Sequence, residues 1–367
     1  MKTFNLKLVR TALILKPLWS FLGLFLDPCS CKSRLSPKTI LVLDFHLIGD
    51  IILLTPFLKA LREAHPGARI VLAAGPWARE LLNGGGFVDE IIPFSAPWVK
   101  YKQGWKGWQA TWYLLKRLRT EPWDMGIEIR GDIRQILLMA FSGAKCRVGF
   151  DFTGGRALLT DVVPCDESLV HLASYHKRIA EYLSIWPPGR EYLPFLQLTD
   201  KERVKLQQIP SYVGIHLGAS RPLKKFSKEE ALDLVKSVAG STDLQIVILS
   251  DLEDVTFVNR LVASIDPSIK NRLRTWSGSL REFVIMVSRA NSFFCMDSGP
   301  AHVAAALGIP VTVFFGPTRP GESMPLGKNI KVVENKEISC RPCNQRKCIN
   351  RSEKACLSGL TRKWRDI

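Results

Sequence analysis

With 367 residues, 46% of them hydrophobic and 23% charged, the chain is too apolar for a disordered protein and long enough for two packed domains. Lys and Arg number 51 against 34 Asp and Glu, a net charge of +17, which steers the surface towards anionic partners. No zinc-finger spacing with paired histidines and no RNP-type aromatic string accompanies that charge, so nucleic acid gives way to acidic lipid and phosphorylated sugars.

Residues 1–38 form a first segment. Leu8 to Leu26 is rich in Leu, Phe and Trp, but Arg10, Lys16 and Pro17 interrupt it. The apolar run is far shorter than the ~20 residues of a spanning helix. Lys2, Lys7 and Arg10 fit the basic region of a cleavable signal, yet Cys29-Ser30-Cys31 is a poor cleavage site. The preferred reading is an uncleaved amphipathic segment on the membrane surface, with Trp19 and Phe21 at the interface. A helix docked on the protein's own core is the alternative.

From Thr39 the pattern changes. Thr39–Phe45 predicts a strand, His46-Leu47-Ile48-Gly49-Asp50 a turn, and Ile51–Glu63 a helix in which Pro56 must lie near the first turn or cause a kink. Pro66-Gly67 closes it and Ala68–Ala74 is the next strand, a unit that implies parallel strands and a right-handed crossover. The rhythm continues with strands at Glu90–Pro93, Gly126–Ile129 and Cys146–Gly149. Helices are expected at Trp77–Leu82, Gln109–Leu118 and Ile133–Phe141. A carboxylate at the position of Asp50 faces the crevice where open α/β sheets bind ligands. There it can take a proton from an attacking hydroxyl; capping the following helix is the other role open to it. Trp98 to Trp112 interleaves aromatic residues with Lys100, Lys102 and Lys106. It reads as a half-buried helix with solvated lysines, with contact to an acidic acceptor or a membrane as the alternative.

Val170–Ile185 is a helix candidate that Trp186-Pro187-Pro188-Gly189 terminates. The boundary between a domain at 39–190 and another at 191–338 falls in the extended stretch that follows. Tyr212–Leu217 opens a second sheet, and Gly218-Ala219-Ser220 makes a small-residue turn. Arg221, Lys224 and Lys225 follow, a combination suited to a phosphate cradle; Lys224 is the first choice and Lys225 the second. After the strand Gln245–Leu249, an acidic residue, Asp254 or equally Glu253, is placed to bind ribose or sugar hydroxyls. Leu280–Ser288 is a helix leading to the strand Phe293–Met296, the turn Asp297-Ser298-Gly299, a helical Ala301–Leu307 and the strand Val311–Phe315. Asp297 and Ser298 are expected to cap that helix, and Gly299 lets a ligand approach the backbone. The helix N-terminus offers N–H groups to an anion, with His302 one turn in. A diphosphate suits that turn.

Residues 339–367 form a cysteine-rich tail. Cys340, Cys343, Cys348 and Cys356 carry the donors of an all-thiolate tetrahedral zinc site, although the intervals after the first pair are irregular and four nearby thiols can also be spectators. The isolated Cys146, Cys165 and Cys295 read as small apolar residues in a reducing compartment.

The string Asp297-Ser298-Gly299-Pro300-Ala301-His302-Val303-Ala304-Ala305-Ala306-Leu307, with Phe315-Gly316-Pro317-Thr318-Arg319-Pro320 after it, resembles the signature of the heptosyltransferase family (glycosyltransferase family 9). Ile48-Gly49-Asp50 followed by Thr55-Pro56 matches the family's N-terminal pattern, and Lys224 takes its basic position, with Phe226-Ser227 where relatives carry Trp-Pro. The resemblance runs from about Thr39 to Cys356. It implies an α/β fold of GT-B architecture, two Rossmann-like domains facing each other across a cleft. The implied activity is inverting transfer of a heptose from ADP-heptose to a lipopolysaccharide inner-core acceptor, by a cytoplasmic enzyme peripheral to the inner membrane. Asp50 would be the base and Lys224 would stabilise the departing diphosphate. Gly49, Thr55, Gly218, Ser220, Lys225, Asp254, Asp297, Ser298, Gly299 and His302 would contact substrate. No carboxylate pair with metal-ligand spacing stands beside either motif, so this reading requires no catalytic metal. Two other functions compete. An NAD-dependent oxidoreductase lacks its G-x-G-x-x-G, since Gly84-Gly85-Gly86 does not follow the first strand. A non-catalytic lipopolysaccharide- or membrane-binding protein would not need both proposed catalytic features.

Overall fold

The computed structural model describes residues 16–23, 36–99, 104–165, 170–343 and 347–366. The chain divides into two compact units, Met1–Tyr192 and Leu193–Ile367, and each is built on one parallel six-stranded sheet.

In the first unit a short helix α1 (Lys16–Gly23) precedes β1 (Thr39–Asp44), α2 (Ile48–Ala64), β2 (Arg69–Ala74), α3 (Trp77–Leu82), β3 (Glu90–Pro93) and α4 (Gly104–Leu118). Then come β4 (Met125–Glu128), α5 (Ile133–Phe141), β5 (Cys146–Gly149), β6 (Asp161–Val162) and α6 (Leu172–Tyr182). The sheet order is β3-β2-β1-β4-β5-β6, with Leu41 of β1 opposite Val71 on one side and Gly126 on the other. Strand β1 is a continuous apolar run, Ile40 to Leu43 being fully buried, as a parallel strand covered on both faces requires. Chain order reverses at the β1/β4 junction, the point at which open α/β sheets leave a crevice beyond their strand C-termini.

Helix α2 begins three residues earlier than its apolar spacing suggests, which places Pro56 deep in the helix without ending it. Proline has no N–H to give the carbonyl four residues back, here that of Ile52. The hydroxyl of Thr55 donates to the Ile52 carbonyl instead, at 2.7 Å. The Thr-Pro pair is therefore a self-contained repair of the helix, and Thr55 is fully buried rather than turned towards a substrate as expected. Thr55→Val removes the hydroxyl at constant shape and should cost about 1–3 kcal/mol in a urea melt. A melt unchanged by that substitution would show the carbonyl finds another donor.

Of residues 1–38, α1 and residues 36–38 lie among the described residues. Trp19 of α1 packs against the core cluster of the first unit. A Cβ on Gly23 would sit 2.4 Å from the Ala157 carbonyl oxygen, so the helix end is pressed onto the chain. Docking on the protein's own core thus holds for α1, while Leu18 and Phe21 stay exposed. Lys2, Lys7, Arg10, Cys29 and Cys31 lie outside the described residues. Cys146, read as a small apolar residue in a reducing compartment, is instead disulfide-bonded.

The second unit runs α7 (Asp200–Leu206), β7 (Tyr212–His216), α8 (Lys228–Ala239), β8 (Gln245–Leu249), α9 (Val255–Ala263), α10 (Pro267–Lys270), β9 (Leu273–Trp276) and α11 (Leu280–Val287). It continues with β10 (Ala290–Met296), α12 (Gly299–Ala306), β11 (Val311–Phe315), α13 (Pro320–Ser323), β12 (Ile330–Glu334) and α14 (Leu360–Lys363). The order β12-β11-β10-β7-β8-β9 repeats the first unit's topology, with the reversal at β7/β10. The residues expected to form a separate tail belong to this unit: Cys356, Leu357 and Leu360 are buried in the same cluster as Val235 of α8 and Ile248 of β8. Burying that apolar set is what holds residues 356–364 against the domain.

Candidate functional site

In the first unit the residues beyond β1 and β4 converge. Asp50 is not the N-cap of α2 but its third residue, and its Oδ2 accepts the Leu47 N–H at 2.8 Å. That bond ties the carboxylate to one of the helix's orphan donors. Oδ1 pairs with the Arg130 guanidinium at 3.4 Å, and the side chain retains a partly exposed edge. Asp50 therefore serves the capping role and still presents a carboxylate beyond the strand edge. Gly49 stands beside it in the first turn.

Arg130 owes its position to the loop after β4. Glu128, fully buried, accepts the backbone N–H groups of Arg130 and Gly131. Burial and the neighbouring Asp132 push its carboxyl well above the usual range, and both of its oxygens are occupied by the N–H groups of the loop it holds. Asp44, the last residue of β1, pairs with the ring of His46 at 2.9 Å and accepts the His46 N–H at 3.1 Å. Its burial opposes the charge, but His46, Arg130 and His176 outweigh it and hold the carboxyl below the ordinary value. His46 is thus committed to Asp44.

His176 of α6 is buried, and its Nδ1 donates to the Leu53 carbonyl of α2 at 3.1 Å. Burial lowers its pKa from 6.5 to about 4. The native state then binds fewer protons than the unfolded chain between those values. Its contribution is present above pH 6.5 and is lost as pH falls towards 4, about 3 kcal/mol in all. His176→Gln keeps a donor for Leu53 and should flatten the acid limb of stability over that window. An unchanged limb would place the acid sensitivity elsewhere.

In the second unit Lys224 ends a short 3₁₀ turn, Pro222–Lys224, that follows β7. Its Nζ donates to Asp297 Oδ2 at 2.6 Å and to the Asp297 carbonyl at 3.2 Å, leaving the third of its three donors for a ligand. Asp297, expected as a cap, does not cap: its carboxylate is taken by Lys224 and by the Thr318 hydroxyl. Ser298 does not cap either, its hydroxyl donating to the Met296 carbonyl at 3.2 Å. The first turn of α12 consequently has no side-chain cap; Pro300 carries no N–H and the Ala301 N–H donates to the Ser298 carbonyl at 3.0 Å, so the Gly299 N–H is the donor of that turn directed at whatever sits before the helix. Gly299 is the first helical residue and His302 is buried on the second turn.

Lys225 and Asp254, chosen separately from the sequence, pair with each other at 2.6 Å. Gly218 packs beneath them, for a Cβ there would lie 2.5 Å from Asp254 Oδ2 and 2.7 Å from the ring of His216. Only glycine fits. Ser220, at the far side of that turn, and Glu253 are both exposed to solvent. His216, the last residue of β7, is buried, and burial lowers its pKa.

Cys340, Cys343, Cys348 and Cys356 line one cavity of about 20 Å³ with Arg341 and Lys354. Among the described residues, however, no three His, Cys, Asp or Glu side chains are grouped closely enough to hold a metal ion. The thiols have other neighbours: Cys348 Sγ accepts the Lys354 N–H at 3.3 Å and Cys340 Sγ the Asn350 amide at 3.7 Å.

Sequence reasoning missed Arg130, Thr318 and His216. The rule that selects Asp50, a polar residue just beyond a parallel strand, would also have selected Arg130. Thr318 stood in plain view in the Phe315-Gly316-Pro317-Thr318 loop.

The pattern of Glycosyltransferase family 9 (heptosyltransferase) matches residues 111–353. Lipopolysaccharide heptosyltransferase 2 of Escherichia coli strain K12 is 25% identical over 311 residues, 80% of this chain and 87% of that protein. The solved E. coli ADP-heptose lipopolysaccharide heptosyltransferase II superposes with a TM-score of 0.68 at 22% identity, covering 83% of this chain and 95% of that one. E. coli heptosyltransferase WaaC, solved with ADP, gives 0.66 at 18% identity over 80% and 92%. The paired α/β domains of the present chain have the fold of these structures.

Proposed function

As this chain belongs to glycosyltransferase family 9, the heptosyltransferases, we propose that it transfers a heptose from ADP-heptose to a lipopolysaccharide inner-core acceptor, inverting the anomeric centre. The names of its relatives support the two substrates. One observation carries the chemistry: a mostly buried lysine, tethered by Asp297, stands with the uncapped start of α12 at the strand-order reversal of the second sheet. Those donors suit the diphosphate of the donor sugar.

In the proposed reaction an acceptor hydroxyl oxygen forms a bond to the anomeric carbon while its proton passes to Asp50. The bond from that carbon to the diphosphate oxygen breaks, and its electron pair leaves with ADP. A sugar hydroxyl is a poor nucleophile, so proton removal in step with attack lowers the barrier. Charge gathering on the diphosphate meets the remaining Lys224 donor and the Gly299 N–H at the start of α12, which are already in place. Arg130, held by the Glu128 loop, keeps the Asp50 carboxylate directed at the crevice.

A lipid-borne acceptor fits a protein of net charge +17 working at the cytoplasmic face of the inner membrane. No helix among the described residues is long and apolar enough to cross a membrane. Incubating the full chain with ADP-heptose and a heptose-deficient core acceptor should add the mass of one heptose to the acceptor. An acceptor of unchanged mass beside intact donor contradicts the reading.

A further inference from the structure

Helix α4 carries two faces of opposite character. Gly107, Leu114 and Leu118 are buried, with Ala110 and Leu115 packed against the core of the first unit. On the other side Trp108, Trp112 and Tyr113 are 63%, 56% and 69% exposed, spaced i, i+4 and i+5 so that they share one stripe. Burying a tryptophan indole is worth more than burying most side chains, so two of them facing water on one helix call for an occupant.

The charge around that stripe says which occupant. From residue 91 to 120 the chain contains no Asp or Glu. Arg117 is used structurally, bridging Glu90 and Glu121. Lys106, Lys116 and Arg119 are exposed, and none has an ion pair among the described residues; the Lys116 ammonium lies over the Trp112 ring at 5.2 Å. Trp98, which the sequence groups with this stretch, is different: it packs inward against Phe45 and Phe94. The outward set is aromatic rings with polar tips alternating with long cations, the composition that settles at the boundary between lipid headgroups and acyl chains. A second copy of this chain is a poor occupant, since a two-fold pairing of the face would set its lysines against one another.

We propose that the outward face of α4 is a docking surface for an anionic lipid bilayer. Trp108, Trp112 and Tyr113 enter the headgroup region, and Lys106, Lys116 and Arg119 meet lipid phosphates. In the β3–α4–β4 crossover the helix starts beyond the C-terminal end of β3, the sheet edge that also carries Asp50 and Arg130. Its first turns therefore bring the membrane surface to the edge at which the base stands. This consequence rests on the proposed lipid-borne acceptor; the docking face itself does not.

The test uses the full chain and two variants, Trp108→Ser/Trp112→Ser/Tyr113→Ser and Lys106→Glu/Lys116→Glu. Each is sedimented with phosphatidylcholine vesicles, with and without phosphatidylglycerol, and each is assayed for transfer to an acyl-free acceptor oligosaccharide. The wild type should bind the anionic vesicles preferentially. Both variants should bind them about tenfold more weakly or worse, while transfer to the acyl-free acceptor stays within about twofold of wild type, since none of these residues belongs to the site. The charge-reversed variant changes only exposed side chains and guards against misfolding of the first. Vesicle binding unchanged in both variants overturns the proposal. So does concentration-dependent dimerisation of the wild type that the variants abolish, which gives the face to a second copy. If the variants lose vesicle binding while the wild type transfers no sugar to any acceptor, the docking face stands and the functional reading falls.

Discussion

Asp50→Asn is expected to slow the chemical step by about 10²–10⁴-fold while ADP-sugar binding stays close to wild type. The substitution is conservative where structure is concerned. Asparagine still offers an oxygen to the Leu47 N–H, so the first turn of α2 keeps its cap. The lost ion pair to Arg130 is long, 3.4 Å, and a pair of that kind contributes roughly 1 kcal/mol at most. Single-turnover kinetics give the chemical step, and titration calorimetry with the nucleotide sugar gives the binding. Wild-type turnover by Asp50→Asn would remove Asp50 from the mechanism. A loss of donor affinity equal to the loss of rate would make it a binding residue instead.

Lys224 and Asp297 should separate in a different way. Lys224→Ala removes the cation directed at the leaving diphosphate, and one preorganised donor of that kind is worth about 10²–10³ in rate. It also strands the Asp297 carboxylate, whose remaining partner is the Thr318 hydroxyl. Breaking one half of a mostly buried pair costs about 3 kcal/mol of stability. Lys224→Met with Asp297→Asn takes away both charges and should recover most of that stability without recovering activity. If the double variant regains transfer, the pair is a structural strut and the diphosphate is held by other groups. Asp297→Asn alone should weaken donor binding, because Lys224 loses its tether rather than because α12 loses a cap.

The elements bearing the site were legible because their periodicity is strong and their turns are chemically marked. Strands Glu90–Pro93, Cys146–Gly149, Gln245–Leu249 and Val311–Phe315 stand where their apolar runs place them. Asp50, Lys224 and Asp297 were legible for a related reason: each follows a parallel strand at a short interval. What they bond to was not. The Lys225–Asp254 and Lys224–Asp297 pairs join residues 29 and 73 positions apart, and only the packing of β8 and β10 beside β7 makes those distances short. The same holds for Arg130, brought to Asp50 by β4 lying next to β1. Helix α4 starts five residues before the expected Gln109, taking in Gly104 and Gly107 in spite of glycine's poor helix propensity. Helix α8 went unread although Ser227 and Glu230 form a capping box at its start, a signal present in the sequence itself. The tail was set apart because thiols draw attention, whereas Leu357 and Leu360 are what place it.

A single displacement assisted by one carboxylate leaves a definite stereochemical mark. The attacking oxygen must approach the anomeric carbon opposite the departing diphosphate. Proton NMR of the acceptor after one round of transfer from ADP-heptose reads the configuration of the new glycosidic bond directly. Inversion relative to the donor is the result expected of Asp50 acting as base with Lys224 at the leaving group. Retained configuration, or no glycosidic product at all, would contradict it.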